Sequence, residues 1–136
     1  MENIRRHGAI PFFSWSSSAA TGDEVRQPAF SLRRIIAGAH DPFIESFAEK
    51  AREWGHPFFL RPNWEMNGSW FPWSELSNGN GPGQYVAAWR HIHDIFVRDG
   101  ATNAVWVWCP ARQSNPAVSW NSDVNYYPGD SYVDWT

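Results

Sequence analysis

In Pro57-Phe58-Phe59-Leu60-Arg61-Pro62-Asn63-Trp64-Glu65-Met66-Asn67-Gly68-Ser69-Trp70-Phe71-Pro72-Trp73, a short apolar run leads into a single carboxylate set among tryptophans. Pro57 to Arg61 is continuous and short, as in a strand buried on both faces. Just beyond it, Glu65 lies among Trp64, Trp70 and Trp73, with amides at Asn63 and Asn67. Desolvation by indoles disfavours the charged form of a carboxyl group. A carboxyl held protonated near neutral pH is what a general acid needs. Indole faces suit the apolar faces of sugar rings and amides suit hydroxyls, so the stretch suggests a carbohydrate site. The same pattern also fits a solvated loop charge beside tryptophans that pack in a core.

The elements around this stretch alternate. Upstream, Ala9 to Trp15 reads as a buried strand, with Pro11 near its start. Ser16 to Arg26 is small and polar and reads as a loop. Ser31 to Gly38 holds one apolar pair, Ile35-Ile36, with Gly38 at a turn. Asp41-Pro42 is expected to open a helix, with Asp41 as N-cap and Pro42 at the first helical position. Phe43, Phe47, Ala51 and Trp54 form its apolar stripe, widened by Ile44 and Ala48, and Gly55 ends it.

Downstream, Ser77 to Gly83 is a loop rich in Gly and Asn, and it lacks the phosphate-loop pattern. A helix starts near Gly83, with Tyr85, Trp89, Ile92 and Phe96 on its inner face and Gly100 at its end. His91 and His93 are two apart and face different directions. No His-Glu-x-x-His metal pattern is present, and both read as structural or solvated. Ala104 to Trp108 is the next strand, β-branched and aromatic. Cys109 to Val124 is irregular, and Tyr132 to Trp135 reads as the start of a further strand. Strands alternating with helices mean parallel pairing with crossover helices, an α/β architecture.

Composition bounds the function. The 136 residues fit one domain, and 43% hydrophobic content suffices for a core. Ten tryptophans exceed what packing needs, which favours an aromatic-lined groove. A formal net charge of -3 without a basic stripe argues against nucleic acid as partner. No apolar run reaches membrane-spanning length. The first eight residues contain no segment of signal-peptide type. A single cysteine, Cys109, means no internal disulfide. These features do not fix the compartment.

Several stretches, in order along the chain, resemble glycoside hydrolase family 26. They are Pro11-Phe12-Phe13-Ser14-Trp15, then Ile35-Ile36-Ala37-Gly38-Ala39-His40-Asp41, then Leu60-Arg61 through Glu65-Met66-Asn67-Gly68-Ser69-Trp70-Phe71-Pro72-Trp73, and lastly Tyr126-Tyr127-Pro128-Gly129-Asp130 with Tyr132-Val133-Asp134-Trp135. Ala88-Trp89-Arg90-His91-Ile92 and Val105-Trp106-Val107-Trp108-Cys109-Pro110 fit between them. The family is best known for β-mannanases, with relatives acting on mixed-linkage β-glucan and β-1,3-xylan.

The resemblance implies a (β/α)8 barrel and two catalytic glutamates. It implies that Glu65, at the C-terminal end of the fourth strand, is the general acid/base, in line with where barrel active sites sit. It places Trp70 and Trp73 near the sugar cleft, with Asn67 a polar contact and Trp15 and Trp108 weaker candidates. Trp64 stands where many relatives have a His before the acid/base.

A full barrel takes about 250 residues. By the match, residues 1–136 form a single partial catalytic domain, a partial (β/α)8 TIM barrel covering roughly strands 3 to 6. The family's nucleophile glutamate then falls beyond Thr136. Glu75, Asp123, Asp130 and Asp134 are available carboxylates, and none matches it. The expectation is a retaining glycosidase fragment acting on a β-linked polysaccharide or oligosaccharide, foremost endo-β-1,4-mannan, inactive alone and needing no metal or organic cofactor. The family is commonly extracellular. A non-catalytic sugar-binding protein and a purely structural α/β module are the alternatives.

Overall fold

The structure is a computed structural model and describes residues 1–136. The helices are α1 (Glu2–Arg6), α2 (Leu32–Ile36), α3 (Asp41–Trp54) and α4 (Gln84–Arg98). The strands are β1 (Phe12–Trp15), β2 (Phe58–Pro62) and β3 (Ala104–Trp106), with several 3₁₀ turns between Pro28 and Tyr132. The strands form one parallel sheet in the order β1-β2-β3. The register sets Phe13 beside Leu60 and Leu60 beside Trp106, and sets Ser14 beside Arg61. Parallel strands joined by helices are the α/β pattern that the alternation predicts.

Residues on β2 alternate between two unlike faces. Phe58, Leu60 and Pro62 are buried, whereas Phe59 and Arg61 are half-buried. The expectation of a strand buried on both faces is thus corrected. One face meets the helices. The other carries Phe12 stacked on Phe59 and Trp135 set edge-on to Phe59, and Phe12 and Trp135 remain more than half exposed. The apolar run of β2 is continuous because Phe59 packs against aromatic neighbours on that second face too.

Helix α3 starts one residue earlier than the capping argument implies. His40 is the N-cap, and Asp41 and Pro42 occupy the first turn. Asp41 is free to act elsewhere, and its Oδ1 lies 2.7 Å from Nε2 of His91 on α4. The buried face of α3 is Ile44, Ala48 and Ala51, while Phe43 is exposed. Ala48 and Ala51 are fully buried on this face, and α3 packs against α4. The larger rings of Phe47 and Trp54 reach Phe58 of β2, and Phe47 also meets Phe13 of β1. Gly55 ends α3 in the left-handed conformation, which costs Gly no Cβ clash.

Helix α4 matches its expected inner stripe: Tyr85, Trp89, Ile92 and Phe96 are all buried. Each such side chain contributes on the order of 1.5–3 kcal/mol by leaving water. Trp89, His93 and Phe96 pack against Trp106 of β3, and His91 meets Asp41 of α3, so both histidines on α4 have structural partners. Beyond β3, Tyr132–Trp135 does not form a full strand. It makes a single parallel bridge, Val107 with Trp135, and Trp108 N donates to Trp135 O at 2.9 Å. A 3₁₀ turn over Asp130–Tyr132 takes in Tyr132, the residue expected to begin that strand. No helix is long and apolar enough to cross a membrane.

Candidate active site

The loop carrying Glu65 is tied to the C-terminal ends of both neighbouring strands. Pro62 closes β2, and Asn63 and Glu65 then both take positive φ, at 47° and 54°. Asn tolerates this region through its short polar side chain. Glu does so at a cost of about 1–3 kcal/mol, which the surroundings must over-determine. Asn63 N donates to Trp15 O at 2.9 Å, at the end of β1. Asn63 Oδ1 accepts Ser17 N, and Asn63 O accepts the buried Tyr85 hydroxyl. Glu65 N donates to Cys109 O at 2.7 Å, just past β3, and Gly68 N returns to Glu65 O at 3.0 Å.

The Glu65 side chain is half-buried, and its Oε2 accepts the indole N–H of Trp70 at 3.0 Å. Trp70 is 39% exposed, so its ring flanks the carboxylate while presenting a face to solvent. Arg61 lies near the end of β2, just before this loop. Its guanidinium donates to Ser14 Oγ at 2.7 Å and lies over the rings of Phe12 and Trp64. Its Nη1 is 3.8 Å from the Cys109 sulfur. No carboxylate pairs with Arg61.

Of the candidate site residues, Glu65 and Trp70 come together, Trp73 and Asn67 brace their loop, and the side chains of Trp15 and Trp108 pack elsewhere. Trp73 is 1% exposed, donates its indole N–H to Trp64 O at 2.7 Å and stacks on Phe71. Both faces of Trp73 are thus taken up by protein, so it is a brace of the loop rather than a sugar platform. Asn67 is 1% exposed and spends its amide on Ala111 N, Ala111 O and Ser114 Oγ. Both of its N–H groups are used, and burial keeps the remaining lone pair of Oδ1 away from solvent.

Trp15 lies on the helix side of the sheet, against Phe43, Phe47 and Phe96. There it lines an apolar hollow of about 540 Å³ whose lining does not include Glu65. Trp108 is 8% exposed, packs edge-on to Tyr127 and has a buried indole N–H without a partner.

Glu75 is the carboxylate whose pKa the fold raises, through burial, against the pull of backbone N–H groups at the start of α4. It is committed to the scaffold, since its Oε1 accepts Tyr85 N at 3.0 Å and so caps α4 from a distance. Asp123 accepts Val124 N, Asp130 accepts the Tyr127 hydroxyl, and Asp134 accepts Trp106 N. Each of these carboxylates thus has a local structural partner. No group of three or more His, Cys, Asp or Glu side chains is placed to hold a metal ion.

A belt of amides that no local pattern announces steadies this loop. Asn115 N and Asn121 Nδ2 both donate to Asn67 O at 2.9 Å, and Asn115 Nδ2 reaches Ser69 Oγ. An irregular polar segment read only as loop is in fact the far wall of the Glu65 loop. Its one visible signal is the run of amides at Asn115, Asn121 and Asn125.

The model of glycosyl hydrolase family 26 matches residues 29–136. Over 104 residues the chain is 40% identical to endoglucanase H of Acetivibrio thermocellus, covering 75% of this chain and 11% of that protein. It is 28% identical over 85 residues to a mannan endo-1,4-beta-mannosidase of Bacillus subtilis, covering 59% of this chain and 22% of that protein.

Among solved structures, the family 26 domain of a Prevotella bryantii endo-beta-mannanase/endo-beta-glucanase superposes with a TM-score of 0.73 at 20% identity. That match covers 98% of this chain and 48% of the other. A beta-mannanase from a symbiotic protist of the termite Reticulitermes speratus, complexed with gluco-manno-oligosaccharide, gives a TM-score of 0.72 at 21% identity, covering 97% and 44%. The chain thus spans under half of each solved structure and a smaller share of each of the two relatives. With its fold shared with these mannanases and most of its length matching the family model, the chain belongs to glycosyl hydrolase family 26.

Proposed function

We propose that this chain supplies the acid/base half of a retaining glycoside hydrolase that cleaves β-linked polysaccharide, foremost β-1,4-mannan. The observation that carries the reading is the backbone of Glu65. A glutamate held at φ 54° between the ends of β2 and β3 bears a local backbone cost of the kind that clusters at functional sites. The mannosidase and mannanase relatives support mannan, and endoglucanase H keeps β-glucan as the second candidate.

In this reading Glu65 donates a proton to the leaving glycosidic oxygen. It then takes a proton from the water that hydrolyses the glycosyl-enzyme intermediate. A second carboxyl group about 5–5.5 Å away supplies the covalent bond in retaining enzymes. Glu75, Asp123, Asp130 and Asp134 hold scaffold positions, and the resemblance to family 26 implies that this second group lies in the remainder of the barrel. The three strands correspond to part of the segment from strand 3 to strand 6, and the open face with Phe12, Phe59 and Arg61 lines the barrel interior. Trp70 flanks the sugar bound beside Glu65.

The test is reducing-end release from soluble mannan and from β-glucan. The 136-residue chain is expected to be inactive alone. Joined to the complementary barrel segment of a family 26 mannanase, it is expected to turn over mannan. Glu65→Gln in that joined protein should lower the rate about 10²–10⁴-fold, the range of general acid–base catalysis. A joined protein whose rate is indifferent to Glu65→Gln would refute the assignment.

A further inference from the structure

We propose that Gly68 is a positioning residue. Its missing side chain makes the seat in which the Trp70 ring lies, and that seat aims the indole N–H at Glu65. A Cβ built on Gly68 would come within 2.6 Å of Trp70 Cη2 and closer still to Cζ2 and Cε2. Real Cβ atoms do not approach ring carbons so closely, so any side chain at 68 displaces the ring from its present position. The ring carries the Nε1 that donates to Glu65 Oε2 at 3.0 Å. Moving the six-membered ring off Gly68 therefore moves the donor off the carboxylate.

Two features make this effect separable from backbone strain. Gly68 is not among the positive-φ glycines, so its conformation is open to alanine. Trp70 is 39% exposed, so the displaced ring can swing into solvent without unpacking the core. Gly68 is itself buried beside Asn67, and its N–H closes the turn to Glu65 O at 3.0 Å. Peptide and ring thus hold the glutamate from two sides. The functional weight of this contact rests on the role proposed for Glu65, but the contact itself does not.

The experiment follows the indole N–H resonances of the 136-residue chain labelled with ¹⁵N-tryptophan. The Trp70 signal is identified by its absence in Trp70→Phe. In the native chain, Glu65→Gln is expected to shift that signal. In Gly68→Ala the Trp70 N–H is expected to exchange with water about two- to tenfold faster, as on losing a hydrogen bond. Adding Glu65→Gln to Gly68→Ala should then leave the signal where it is, with the other indole signals unmoved throughout.

A Trp70 signal in Gly68→Ala that still responds to Glu65→Gln overturns the proposal. Should Gly68→Ala fail to fold, Gly68→Ala/Trp70→Ala is expected to restore folding, and its failure to do so overturns the proposal equally. No readout uses hydrolysis, so an error in the catalytic reading of Glu65 would not be mistaken for an error here.

Discussion

Replacing Asn67 by alanine should show up as lost stability, not as a lost sugar contact. The side chain is 1% exposed and makes three hydrogen bonds. Nδ2 donates to Ala111 O and Ser114 Oγ, both at 3.0 Å, and Oδ1 accepts Ala111 N at 2.7 Å. Each intramolecular hydrogen bond contributes about 0.5–1.5 kcal/mol net. Ala111 and Ser114 are half-buried, so water recovers part of the loss. The expected cost is about 2–3 kcal/mol.

The assay is urea unfolding followed by tryptophan fluorescence. With a slope of about 2 kcal/mol per M, the midpoint should fall by about 1–1.5 M. Asn67→Asp should not rescue it, because a carboxylate oxygen would then face the Ala111 carbonyl where the amide had donated. Below its midpoint, Asn67→Ala should keep whatever fluorescence response to mannan oligosaccharide the native chain shows. A midpoint shift under about 0.25 M, with the sugar response abolished, would refute the assignment of Asn67 to the scaffold.

The two tryptophans of this loop should separate in the same assays. Trp73→Ala removes a fully buried ring and is expected to cost about 3–5 kcal/mol, unfolding much of the population. Trp70→Ala is expected to cost under about 1 kcal/mol, since the ring is partly exposed, while it removes the fluorescence response to sugar. Alkaline pH should destabilise the fold through Tyr85 and Tyr126, each 1% exposed. Burial pushes both phenols up, Tyr126 to about 12, whereas an unfolded tyrosine ionises near 10. A raised folded value stabilises fully below the unfolded pKa, so stability should fall as pH rises from about 10 toward 12. Urea midpoints across that range, with Tyr126→Phe showing a smaller decline, check the sign.

The α/β alternation, the inner stripe of α4 and the stop at Gly55 follow from spacing and from residue chemistry that acts locally. A 3.6-residue period and a left-handed glycine need no distant partner to be recognised. The ordered stretches around Glu65 likewise carried the family. Where a side chain had two competing uses, local chemistry could not choose between them. Asp41 is a good N-cap in isolation, but His91 on another helix claims it. Trp70 and Trp73 are three residues apart in one aromatic run. The fold buries Trp73 under Phe71 and Trp64 and leaves Trp70 at the surface beside Glu65.

The strained backbone of Glu65 and the seat at Gly68 arise from contacts between segments or across the turn itself, and no periodicity announces them. The amino-acid order by itself determined which elements form and which carboxylate stands among the aromatics. The tertiary structure alone decided which aromatic serves that carboxylate and which amides hold the loop, because burial and hydrogen-bond partners are assigned only when the ends of β1, β2 and β3 are brought side by side.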